Sequence, residues 1–298
     1  MYFYSAIKKK KASNPYTLAW TVTVANLAIT VDTANNVYIG EYTSKKYNTN
    51  GTQLYSQYGY YGNFTNGIKV DASQYFYYCE NGYSYGAKQS VNLVTELVQY
   101  STKVTPFLNP IVIGLDFSNN VWIADDAHQI QKFNNTTGAR ISYIPSITIA
   151  ITSFDFDNFG AIYACGNGSP SVKKVDTTTG IVAWTYVLPS GNASSIKVNP
   201  ATGESYTSNG IYLTKLDING ALIWQVTTAN SINKMCIDAN FNIYTVDGGK
   251  YIKKYDTNGV FISSYLLPLV ARDIAIDSEN SLLIAATTAI YKIKQATI

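Results

Sequence analysis

The chain predicts an all-β fold, a seven-bladed β-propeller of four-stranded antiparallel blades, and three observations predict it. Seven times a short apolar strand ends in Asp or Asn, at Asp32, Asp71, Asp116, Asp157, Asn199, Asp238 and Asp277. The separations of 39, 45, 41, 42, 39 and 39 residues are those of architectures in which each repeat is one blade. Six positions after the marker stands a large apolar residue: Tyr38, Tyr77, Trp122, Tyr163, Tyr244 and Leu283, with Tyr206 delayed by one extra turn residue in the fifth repeat.

The third repeat shows the elements most clearly. Ile113 to Asp116 reads as the innermost strand, Ser118 to Asn120 as a turn and Val121 to Ala124 as the second strand. Gln129 to Phe133 and Ala139 to Ile144 complete the blade. The marker carboxylate is turn chemistry, because Asp accepts from the amides that follow it, and Asn36, Asn120 and Asn242 stand where a left-handed conformation is expected. The large residues should be core. Two positions further on, Gly40, Cys79, Ala124, Cys165, Ser208, Val246 and Ala285 form a register of smaller residues. Alternating large and small side chains suit one twisted sheet packing on the next. Cys79 and Cys165 then act as small hydrophobes on separate blades, too far apart to bridge.

The outer half repeats as well. Lys46 to Gly51, Lys132 to Gly138, Lys174 to Gly180, Lys215 to Gly220 and Lys254 to Gly259 each read as a strand ending in a polar turn closed by glycine. The lysine is expected to face solvent near the blade's open edge. Trp20, Trp184 and Trp224 lie in fourth strands. After Asp277 only two strands follow, near Leu282 to Ala286 and Ile290 to Lys294, so the Trp20 strand is predicted to complete the seventh blade and close the ring. The chain reads as one domain over 1–298, with residues 1–12 an N-terminal arm or edge strand.

Composition narrows the function. A net charge of +3 and only two arginines, Arg140 and Arg272, leave few bidentate phosphate contacts and argue against nucleic acid as a partner. The run Lys8 to Lys11 reads as a solvated edge. No stretch reaches 18 uncharged apolar residues, and the short N-terminal apolar run precedes its lysines, the reverse of a secretory signal. The expectation is a protein without leader or membrane insertion. Asn63, Asn134, Asn135, Asn167 and Asn192 match the glycosylation triplet, a match that a chain rich in Asn, Ser and Thr produces by chance.

The run GLDFSNNVWIADDAHQIQKFNNTTG, Gly114 to Gly138, resembles an NHL repeat, and Asp238 to Gly259 is similar to it. The pairs Gly180 with Trp184 and Gly220 with Trp224 resemble the repeats of quinoprotein-type propellers. These resemblances imply the architecture. Families of this shape include protein-binding scaffolds, lactonases and lyases, so they do not imply a reaction.

A metal-dependent lactonase-type hydrolase is the first enzyme alternative, and Glu41, Glu80, Asp125 and Asp247 invite it. These acids fall at the end of second strands, away from the axis. A lyase would need a positioned base, and the single histidine, His128, reads as a surface turn residue. A quinone site would need an aromatic floor and an axial cation cluster, whereas the tryptophans here belong to outer strands. No catalytic residue, metal ligand or cofactor is expected.

What remains is a tyrosine-rich surface. Twelve of the 26 tyrosines lie between Tyr42 and Tyr100, among Gly, Ser and Asn, the composition of adaptable binding loops. Tyr58, Tyr60, Tyr61, Tyr83 and Tyr85 are the candidate interaction surface. The sequence therefore points to a non-catalytic binding or assembly module whose partners are other protein chains, further copies of itself, or a surface glycan. Its Tyr, Asn and Thr richness points to a structural or receptor-binding component of a virus or phage particle, with the cytoplasm as the other location. A carbohydrate-binding propeller is the remaining alternative.

Overall fold

The computed structural model describes residues 15–25, 28–40, 43–58, 67–80, 85–90, 96–101, 110–145, 147–167, 171–189 and 193–296. The segment 1–12 lies outside them. Strand β1 (Tyr16–Thr23) comes first, and blade one follows with β2 (Ala28–Val31), β3 (Val37–Gly40), β4 (Thr43–Tyr47) and β5 (Gln53–Tyr58). Blade two comprises β6 (Ile68–Val70), β7 (Phe76–Glu80), β8 (Tyr85–Gln89) and β9 (Glu96–Ser101). Blade three has β10 (Pro110–Leu115), β11 (Val121–Asp125), β12 (Ile130–Phe133) and β13 (Arg140–Ile144). Blade four has β14 (Ala150–Phe156), β15 (Ala161–Asn167), β16 (Ser171–Asp176) and β17 (Val182–Val187). In blade five run β18 (Ala193–Val198), β19 (Ser205–Asn209), β20 (Tyr212–Leu216) and β21 (Leu222–Thr227). Blade six has β22 (Ile232–Ile237), β23 (Ile243–Asp247), β24 (Tyr251–Tyr255) and β25 (Phe261–Leu266). Blade seven takes β26 (Ala271–Ile276), β27 (Leu282–Ala286) and β28 (Ala289–Gln295) from the C-terminal region, and β1 as its outer strand.

Seven four-stranded antiparallel sheets result, and the closure is as the sequence predicts. β1 pairs with β28 from Tyr16 opposite Gln295 to Thr23 opposite Ala289. The innermost strands β2, β6, β10, β14, β18, β22 and β26 neighbour one another in a ring around a central channel. They do not share sheets, so side chains join them. In blades three to seven the register of the first strand pair shifts by a β-bulge near its start. The bulged residue turns to the next blade: Thr152 Oγ1 donates to the Ala193 carbonyl and Ser194 Oγ to the Ile232 carbonyl, both at 2.7 Å.

The marker turns behave as expected with one correction. Asp32 Oδ1 accepts from the amides of Ala34 and Asn36 at 2.9 and 2.8 Å, and Asp116, Asp157, Asp238 and Asp277 repeat the pattern. The left-handed residue, however, is one position before Asn36, Asn120 and Asn242, at Asn35, Asn119 and Phe241, with φ near 60° in each. The asparagine after it is held differently, its side-chain amide donating to the marker carboxylate, as Asn36 Nδ2 does to Asp32 Oδ2 at 2.9 Å. That bond is open to a residue facing back across the turn, which the left-handed residue does not do.

Between blades the large and small registers interleave. Tyr38, Tyr77, Trp122, Tyr163, Tyr206, Tyr244 and Leu283 are all completely buried, and so are Cys79, Ala124, Cys165, Ser208, Val246 and Ala285. Tyr38 stacks on Phe76 of the next blade, with ring centroids 5.9 Å apart. All three cysteines are buried and none forms a disulfide among the described residues. The tryptophans lock the rim: the indoles of Trp20, Trp184 and Trp224 each donate to a carbonyl in the outer turn of the following blade, at Thr49, Ile218 and Thr257, over 2.8 to 3.0 Å. Each ring lies on that turn's glycine. A Cβ on Gly220 would stand 2.6 Å from Trp184, at a φ of +82° that already disfavours any other residue.

Candidate functional site

Titratable side chains are the first place to look for chemistry, and most of them are arranged as one structural device. Third-strand lysines stand directly across the ladder from the large register: Tyr38 opposite Lys46, Tyr77 opposite Lys88, Trp122 opposite Lys132, Tyr163 opposite Lys174, Tyr206 opposite Lys215, Tyr244 opposite Lys254 and Leu283 opposite Lys292. Cross-strand partners share a face, so each lysine lies over the aromatic instead of facing solvent as the sequence reading expects. The ammonium sits 5.0 to 5.6 Å from the ring centre in the six blades that carry an aromatic.

Beyond the ring waits the marker acid. In blade four Asp157 Oδ2 accepts from Tyr163 Oη at 3.1 Å and pairs with Lys174 Nζ at 3.3 Å. Blade three does the same with the Trp122 indole and Lys132, and blade seven, lacking an aromatic, brings Lys292 within 2.9 Å of Asp277. Blade five has Asn199 as marker, and Glu204 takes over the pair with Lys215 at 3.1 Å. There Tyr206 Oη has no hydrogen-bond partner among the described residues. Burial first, then the neighbouring acid, raises the phenols of Tyr38 and Tyr163, and Tyr206 is pushed up to about 12 for the same reasons. Burial lowers Lys46 and Lys88. These groups tie the first, second and third strands of one blade to each other.

The acids that invite a metal sit at the ends of second strands where described. Asp125 and Asp247 end the second strands of blades three and six, Glu80 ends that of blade two, and Glu41 lies outside the described residues. Asp247 is bound by Lys253 Nζ and Thr245 Oγ1, each at 2.6 Å. Among the described residues no group of three or more His, Cys, Asp or Glu is placed to hold an ion. His128 takes the left-handed position of a tight turn, its amide donating to the Asp125 carbonyl.

Of the five candidate tyrosines, two fall on described strands. Tyr58 ends β5 opposite Thr43, and Tyr85 begins β8 opposite Glu80. Both strand ends lie on the propeller face opposite the Asp turns, on adjacent blades. Tyr60, Tyr61 and Tyr83 lie outside the described residues. The rim contributes a second surface: the outer strands of blades five and six expose Leu222, Ile223, Phe261 and Ile262, with 41 to 52% of each side chain open.

A third feature escaped the sequence reading. The channel, about 270 Å³, is lined from all seven blades and gathers Lys69, Lys197, Lys234 and Asp273. The signal was available: Lys69, Asp155 and Lys197 stand two residues before their markers, and Lys234 and Asp273 four before theirs. Alternate residues of an innermost strand share a face, so these charges belong to one set of positions.

Known proteins bear on the fold. No family model matches the chain, and no curated protein matches its sequence. A solved structure does match. It is the WD40 β-propeller domain of Doa1, with a TM-score of 0.78 over 95% of this chain and 98% of that one, at 10% identity. At that identity the likeness is one of architecture. The NHL-like and quinoprotein-like repeats gain no support from any family model. Among the described residues no helix is long and apolar enough to cross a membrane.

Proposed function

We propose that the chain is a non-catalytic binding or assembly module that meets its partner through the face opposite the Asp turns, over blades one and two. The observation that carries this reading is the placement of Tyr58 and Tyr85 at strand ends on that one face, bracketing the Tyr, Gly and Asn-rich segments with Tyr60, Tyr61 and Tyr83. Tyrosine supplies broad contact area and a hydroxyl at low entropic cost. The titratable rows fit a module without a reaction of its own, since their groups are committed to one another within each blade. The apolar rim of blades five and six gives the module a second contact, suited to assembly with further chains.

The partner is another protein chain, and the setting is a virus or phage particle, where a rigid ring serves as a structural or receptor-binding part. This setting rests on the Tyr, Asn and Thr richness of the sequence. The test is an electron map of the native assembly, joined to a glycan array with the purified protein. Another chain packed on 59–66 and 81–84 is the expected result. Binding to a glycan, abolished in a Tyr60→Ala, Tyr83→Ala variant, would transfer the same surface to carbohydrate. A bare face together with a silent array would overturn the reading.

A further inference from the structure

The channel holds charges that no contact described so far accounts for. Lys69 on β6, Lys197 on β18 and Lys234 on β22 come from blades two, five and six, so the first faces the other two across the axis. The six ion pairs among the described residues all lie elsewhere, and none of these three lysines belongs to one. Two acids accompany them, and both are spent on main chain. Asp155 Oδ2 accepts from the Val198 amide at 3.0 Å, and Asp273 accepts from Ile29 and Ile274 at 3.1 and 2.9 Å. The bonds to Val198 and Ile29 stitch the innermost strands of neighbouring blades.

Three ammonium groups against two carboxylates leave the lumen with a surplus positive charge in a narrow space where water screens poorly. Ammonium groups carry three donors each and tolerate no desolvation without acceptors. Thr30, Ser153 and Ser195 add hydroxyls to the same wall. We propose that the channel is a binding site for a small oxyanion of the phosphate class, held between Lys69 on one side and Lys197 and Lys234 on the other. A tetrahedral anion presents acceptors in several directions, which suits point-charge donors converging from separate blades better than a planar fork would. The cavity takes one such group and leaves room for the atom that carries it.

The state of Lys69 agrees with this. Burial first, then Lys197 and Lys234, bring it down to about 8, while Asp155 and Asp273 oppose the change. A bound anion would raise it again. The remaining titratable group on the wall, the Cys236 thiol, is pushed up by burial and stays neutral. Affinity should therefore rise towards neutral pH as phosphate becomes a dianion, and fall as pH rises through about 8 to 9, as Lys69 loses its proton.

The experiment is isothermal titration of the full chain with inorganic phosphate at low ionic strength, repeated with sodium chloride at matched ionic strength and with sodium acetate. One saturable site for phosphate, absent for chloride, is the expected result. Lys69→Met should weaken it by at least about tenfold, the loss of one charge-assisted hydrogen bond. Lys234→Met provides a second variant should the first fold poorly, and phosphorus NMR of the unaltered chain across pH 6 to 10 provides a readout needing no variant. Tighter binding of O-phosphoserine than of inorganic phosphate would assign the lumen to the terminal phosphate of a larger ligand. Equal or weaker binding would assign it to the free ion. No saturable site, or unchanged affinity in both variants, would overturn the proposal, as would stronger binding of acetate than of phosphate.

Discussion

Asp125 offers a test of how burial rather than pairing sets a carboxyl group's behaviour. It ends β11 almost fully covered, its Oδ1 accepts from the Gln129 amide at 3.0 Å, and its Oδ2 has no hydrogen-bond partner among the described residues. Burial outweighs the two turn amides and pushes its pKa up to about 6 from 3.8. The folded state then holds a proton that the unfolded chain has released between pH 4 and 6. Stability must fall across that window and stay level above it, because the native state binds more protons there. A shift of this size corresponds to roughly 3 kcal/mol at most, at about 1.4 kcal/mol per pH unit. Relaxation and water penetration at the strand end reduce a burial cost of this kind, and the expected value is about 1–2 kcal/mol. Asp125→Asn removes the ionisation while keeping an acceptor for Gln129. Thermal unfolding followed by circular dichroism should show the variant matching the parent at pH 4 and exceeding it by about 2–3 °C at pH 7.5. A gap independent of pH, or a variant less stable at pH 7.5 than at pH 4, would refute the reasoning.

Other perturbations probe the blade contacts. Tyr163→Phe removes one donor from the covered carboxylate of Asp157 and should cost about 1–3 kcal/mol, while Asp157→Ala, which strands Lys174, should cost about 3–5 kcal/mol; chemical denaturation measures both. Gly220→Ala meets both the left-handed backbone and the Trp184 ring, and a loss of about 1–3 kcal/mol with a changed tryptophan emission spectrum is expected. The three buried thiols should resist an aromatic disulfide reagent until the molecule opens, with Cys165 held up at about 11 by burial, so labelling rates should track unfolding rates in denaturant.

The seven markers made the ring legible because each carries local turn chemistry at a spacing that only repetition explains. Closure by the Trp20 strand was readable for a similar reason: one outer strand too many at the start and one too few after Asp277. The lysines were misread because an amphipathic side chain beside a polar turn looks exposed in one dimension. Only the ladder register, Tyr163 opposite Lys174, reveals that it covers an aromatic and reaches an acid. The channel charges were hidden differently. Lys69 and Lys234 come from blades two and six, so their convergence depends on the ring's diameter, which no local pattern encodes. The left-handed residue was placed one step late because Asn is the usual occupant, whereas Gln74 and Phe241 hold that conformation in two blades.

The seam between β1 and β28 also sets a timetable. Tyr16 pairs with Gln295, so β1, once made, waits until some 270 further residues have followed it. At roughly 5–20 residues per second that is about 15–55 s. During that interval β1 carries Leu18 and Trp20 with no sheet to join, while blades one to six gain all four of their strands in turn. Once β28 is in place the ring lacks only its outermost strand, and any other strand with a matching pattern can compete for the vacant edge of β28. Cells that make this protein quickly and in quantity would be expected to accumulate swapped pairs, in which one molecule's β1 completes another's seventh blade.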